Sequence, residues 1–215
     1  MNTSTENKLT DENPDLAAVV RDFWTYMTGL YGTEVIDKEN AIEMQVVAQV
    51  LGFAGIMDAD DFLSKYTTTI GKRIYVPFEI GTESEDWSLW DQILVCVHEH
   101  EHVEQFNREG ALWFASKYLF STAGRAAYEA ESYRCDMEID FWHTGQVINP
   151  VALAAKLVDY GCTSIDIEVA EKVLVISAEM VKRGGVVNLA SVNALAWLNE
   201  NAAFLKAQAP APEPA

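Results

Sequence analysis

His98, Glu99 and His102 spell HExxH within the run Val97-His98-Glu99-His100-Glu101-His102-Val103-Glu104-Gln105. On an α-helix, residues four apart differ in direction by about 40° and rise about 6 Å. Both imidazoles therefore leave one side of the helix and can hold a single metal ion. Glu99 sits about 100° from His98, beside the ion rather than on it. From there its carboxylate can accept a proton from metal-activated water. His100 lies about 200° from His98 and is expected in solvent or on a second face. Glu101 and Glu104 read as solvated charges.

A catalytic zinc commonly takes three protein ligands and keeps one open position. The only histidine outside this run is His143, so a carboxylate is the natural third ligand. The segment Arg125-Ala126-Ala127-Tyr128-Glu129-Ala130-Glu131-Ser132-Tyr133 offers Glu129 and Glu131. They stand about 200° apart on a helix, so only one can face the ion. Arg125, Glu129, Tyr133, Asp136, Asp140 and His143 share one helical stripe, which either faces solvent or lines a cleft. Glu129 and His143 are about 21 Å apart along an unbroken helix and cannot share an ion.

Helices must carry these residues, and the chain is rich in helix signals. Ser88 with Asp91 resembles a capping box for a helix running to about Asn107, closed by Gly110. A shorter amphipathic helix follows over 110–120. Ser121 or Thr122 caps a long helix to about Thr144, stopped by Gly145. Asn13-Pro14 and Asn149-Pro150 are cap-and-proline starts. Apolar Val19, Phe23, Met27 and Tyr31 extend the first of these to Gly32. Asp37 can cap a helix through Ile42 and Val46 that stops near Gly52 or Gly55. Helices are also expected over about 164–183 and 188–204. The exception is Thr67–Phe78, whose β-branched and aromatic residues around Gly71 predict a hairpin or two strands. Pro77 suits an edge strand or a strand end.

The fold class expected is α+β, mainly α, with a β-hairpin or edge strand near residues 67–80. Residues 1–12 and the Pro/Ala-rich tail 208–215 read as disordered, leaving one domain over 13–207. The net charge of −18 disfavours nucleic acid and anionic membrane surfaces as partners. Cys96, Cys135 and Cys162, without a CxxC, read as buried thiols in a reducing compartment. With no signal-peptide pattern and no long apolar run, a cytoplasmic location is expected. Trp87, Trp90, Trp113, Trp142 and Trp197 read as core or interface anchors.

HExxHxxQ at His98–Gln105, followed by R-x-x-Y-E-x-E at Arg125–Glu131, resembles zinc-dependent metallopeptidases of the gluzincin type. It is similar to small phage- and bacterial-type members that carry HExxHxxQ and a downstream ExE helix. The resemblance spans about Tyr75–Asp136 and implies a zincin-like domain, a Zn²⁺ cofactor and a peptide or protein substrate. It implies His98, His102 and Glu129 as metal ligands and Glu99 as general base. Ser132-Tyr133 stands where many gluzincins have Ala-Asp, and Asp136, one turn on, is the candidate substitute. Tyr128, Tyr133 and His143 are candidates to stabilise the oxyanion, and a substrate strand would pair with Ile74–Phe78. Two alternatives stay open. One is a catalytically silent zinc-binding protein of the same fold. The other is a di-iron helical bundle using Glu99-x-x-His102, Asp140-x-x-His143 and Glu43, Glu168 or Glu171.

Overall fold

A computed structural model describes residues 15–53 and 59–207. Asn13-Pro14, Gly55, residues 1–12 and the tail 208–215 lie outside the described residues. Helix accounts for 69 % and strand for 6 % of the structure, so it is mainly α with a small sheet.

Helix α1 (Leu16–Tyr31) starts at Asp15, whose side chain accepts from the Ala17 N–H, and ends at Gly32 with φ +62°. Strand β1 (Glu34–Asp37), helices α2 (Ile42–Phe53) and α3 (Ala59–Lys65), and strands β2 (Thr68–Ile70) and β3 (Arg73–Val76) follow. Asp37 is thus the last residue of a strand, not the cap expected for α2. Its carboxylate accepts from the Glu39 N–H and the Asn40 amide. A four-residue strand is too short for its alternation to stand out in the sequence.

The sheet order is β1-β3-β2, with β1 parallel and β2 antiparallel to β3. Gly71, at φ +63°, opens the two-residue connection between β2 and β3. The hairpin is therefore as expected and Pro77 follows the strand end. The strand at 74–76 is central rather than an edge, because β1 supplies the second partner. Substrate pairing along Ile74–Phe78 is thereby blocked, and β2 is an outer strand.

The rest is helical: α4 (Leu89–Glu109), α5 (Ala111–Phe120), α6 (Thr122–Thr144), α7 (Pro150–Ala155), α8 (Ser164–Val181) and α9 (Leu189–Asn201), with 3₁₀ turns at 156–158 and 203–205. The Ser88–Asp91 capping box and the Asn149-Pro150 start both form. Helix α4 touches α1, α5, α6, α9 and β2. Trp24 Nε1 ties α1 to it by donating to the Gln92 carbonyl at 3.0 Å. Over 96–103 the helix is buried all round, which corrects the solvated reading of His100 and Glu101. His100 is fully buried, with Nδ1 on the Cys96 carbonyl at 2.6 Å and Nε2 3.0 Å from Thr33 Oγ1. Glu101 is buried as well, and burial pushes its pKa up to about 8. Helix α6 joins two cores: Cys135 and Ile139 pack with α1, α4 and α9, while Ala130 and Met137 pack with α7 and α8. All three cysteines are buried and free. Trp113 is exposed and so no part of the core, whereas Trp142 and Trp24 are buried. Among the described residues, no helix is long and apolar enough to cross a membrane.

Lys38, just after β1, is fully buried. Its Nζ donates to the carbonyls of Phe62 and Tyr66, each at 2.8 Å, and lies 3.6 Å from the Phe62 ring centroid. Burial lowers its pKa to about 7, against the opposing pull of Glu99. An unfolded lysine titrates near 10.4. Between these values the unfolded chain binds more protons, so this group makes stability rise with pH from about 7 to about 10 and contributes no slope below. Lys38→Met should remove that slope, whatever its effect at any one pH. Urea denaturation of both proteins across this range tests it, and parallel stability curves would contradict it.

Candidate metal centre

Helices α4 and α6 cross so that three buried side chains meet. His98 Nε2 lies 3.4 Å from Glu129 Oε2, and His102 Nε2 lies 3.5 Å from Glu129 Oε1. One ligand atom from each residue falls within 4.8 Å of the others. Two donors held about 2.0–2.1 Å from a tetrahedral ion stand about 3.3–3.4 Å apart. Each histidine nitrogen is thus about that far from one carboxylate oxygen, and the group could hold a metal ion. It is the one such group among the described residues.

The surroundings suit the same purpose. Gln105 donates through Nε2 to the Tyr128 carbonyl and to Glu131, so its Oε1 is left to accept from His102 Nδ1 at 2.8 Å. Asp136 Oδ2 takes the corresponding place 3.2 Å from His98 Nδ1. Protons on both Nδ1 atoms leave both Nε2 lone pairs facing the cluster. Glu129 Oε1 accepts from the Tyr118 hydroxyl at 2.6 Å, whereas the buried Oε2 has no hydrogen-bond partner. A fully buried carboxylate needs positive charge beside it. Burial alone would raise the Glu129 pKa, but the His102 and His98 imidazoles hold it well below the ordinary range. Burial would lower the His98 pKa, and the Asp136 and Glu129 carboxylates more than reverse this. The cluster thus calls for a cation, whether protons on the imidazoles or a metal ion.

Glu99 is 3 % exposed and lies on the β2 side of α4. Its Oε1 accepts from the Thr67 hydroxyl and its Oε2 from the Thr69 hydroxyl at 2.6 Å. His98, with Thr67, Trp87, Tyr133, Asp136 and Tyr160, lines a cleft of about 460 Å³. A larger groove of about 740 Å³, lined by Trp24, Val35 and Phe78, contains none of the cluster residues. The smaller cleft is the one that reaches the cluster, through His98 and its partner Asp136.

Other candidates are sorted by the packing. Glu131 faces Arg108, at 2.8 Å, and Gln105, and so supports a histidine neighbour instead of facing the ion site. Tyr133 stays at the site, its ring 5.4 Å from that of His98. Tyr128 is turned away, donating to Glu109 at 2.6 Å. His143 stacks on Trp90 at 3.9 Å and contacts the Leu205 carbonyl. Asp140 accepts from Trp90 Nε1, Glu43 from the Tyr75 hydroxyl, and Glu168 pairs with Lys172. With Glu171 on α8, none of these joins the His98–His102–Glu129 group. Four residues at the site were not anticipated: Thr67, Thr69, Tyr118 and Tyr160. The two-residue spacing of the threonines in the β-branched run was the one available signal.

The chain matches no family model, no curated protein and no solved structure.

Proposed function

We propose that this protein is a zinc-dependent metallopeptidase of the gluzincin type, acting on a peptide or protein substrate. The observation that carries the reading is the convergence of His98, His102 and the buried Glu129 carboxylate within 4.8 Å of one another, with His98 opening onto a cleft. His98, His102 and Glu129 would hold the zinc. When bound there, zinc lowers the pKa of a coordinated water and polarises a carbonyl.

The chain's own residues supply the rest of the chemistry. Glu99 accepts a proton from the attacking water and returns it to the leaving amine. Asp136 and Gln105 keep the imidazoles in the metal-binding tautomer. Tyr133 and Tyr160, on the cleft wall, are the hydroxyls available to a developing oxyanion. An extended substrate would pair with the outer side of β2. The acidic net charge argues against nucleic acid as substrate.

Metal content separates the readings. Protein purified without added metal should carry one zinc per chain by elemental analysis. Chelation should abolish hydrolysis of a quenched-fluorescence peptide library, and added zinc should restore it. Two irons per chain would overturn the zinc reading. Bound zinc with no turnover on any peptide would favour the catalytically silent protein.

A further inference from the structure

Both carboxylate oxygens of Glu99 are held by hydroxyls from one stretch of chain. Thr67 donates to Oε1 and Thr69 to Oε2, the second at 2.6 Å. Thr69 lies in β2 and Thr67 just before it, and both hydroxyls reach Glu99 from one face. That face meets α4, which β2 touches directly. The stretch is itself fixed: Thr69 pairs with Ile74 in the sheet, and Lys38 Nζ holds the Tyr66 carbonyl at 2.8 Å immediately before Thr67. An ionised carboxylate has about four lone-pair sites, and the two hydroxyls occupy two. One on each oxygen remains free to accept a proton.

We propose that Thr67 and Thr69 are positioning residues, whose paired hydroxyls fix the plane and aim of the Glu99 carboxylate beside the His98–His102–Glu129 cluster. The proposal rests on the metallopeptidase reading of that cluster. A glutamate has three side-chain torsions, and reaction geometry tolerates little wandering of the accepting oxygen. The sheet edge that would take the substrate backbone therefore also sets the base. Both are positioned by the same three-residue strand and its approach.

The test uses the zinc-loaded full chain and acetohydroxamate, a small metal chelator whose hydroxyl proton a neighbouring carboxylate can accept. Zinc affinity is measured by chelator competition, acetohydroxamate affinity by calorimetry, and kcat and KM on a peptide. In Thr67→Val/Thr69→Val, zinc affinity should stay unchanged. Acetohydroxamate affinity and kcat should fall about 10–100-fold, the worth of one or two hydrogen bonds to a charged group. KM should hardly move. Thr67→Ser/Thr69→Ser, which keeps both hydroxyls, should restore the wild-type values. In a Glu99→Ala background the valine substitutions should add nothing, because their effect passes through Glu99. If the double variant fails to fold, the single Val variants carry the same comparison.

Wild-type acetohydroxamate affinity in the valine variants, with Glu99→Ala still weakened, overturns the positioning role alone. A wild-type chain that takes up no zinc, or binds the probe as well after Glu99→Ala, overturns the metallopeptidase reading and this proposal together.

Discussion

Glu99→Gln should retain its metal and lose its hydrolysis. The substitution keeps nearly the same volume and removes the proton acceptor. Its amide can still pair with Thr67 and Thr69, since a hydroxyl both donates and accepts. The local structure therefore survives while the base does not. Metal content should remain one ion per chain, because Glu99 is turned to β2 and is not among the three converging side chains that could hold the ion. Peptide hydrolysis should fall by about 10²–10⁴-fold, the usual contribution of a general base. Steady-state kinetics alongside elemental analysis of the same preparation reads both quantities. Full activity in this variant would sink the mechanism. Loss of the metal instead would make Glu99 a ligand and sink the assignment of the base.

Glu129→Ala and Glu131→Ala should part company on metal affinity. Outer partners of a metal site typically cost about 10–100-fold when removed. Glu129 offers a buried, otherwise unpartnered oxygen to the cluster, so its loss should exceed that range, as should His98→Ala and His102→Ala. Glu131 makes a half-exposed ion pair with Arg108 and one bond to Gln105. Such a pair is worth about 0–1 kcal/mol, so its removal should leave the metal bound. Competition with a chromophoric chelator measures both variants, and equal affinities for Glu129→Ala and the wild type would refute the ligand assignment.

Much of this arrangement is written in short-range terms. The four-residue spacing of His98 and His102 needs only a helix, and the Ser88–Asp91 box starts that helix within four residues. Ser121, Gly145 and Asn149 mark the other boundaries in the same local way. Hydrogen bonds between near neighbours and the 3.6-residue period determine these features, and both can be read along the chain. His100 and Glu101 sit in the same helix, yet their burial follows from the elements packed around α4, which no local pattern records.

The same division runs through the site. The amino-acid sequence alone determined a helical chain with two histidines on one side of a helix and two glutamates competing downstream. The tertiary structure decided between those glutamates, because the phase at which α6 meets α4 turns Glu129 inward and Glu131 toward Arg108. It also brought Thr67 and Thr69 onto Glu99 across 30 or more residues, and Asp136 onto His98 across 38. It placed β1 beside β3, making an expected edge strand the centre of the sheet. Each outcome depends on which faces bury together when the chain closes, a property of all the packed elements at once and of no single segment.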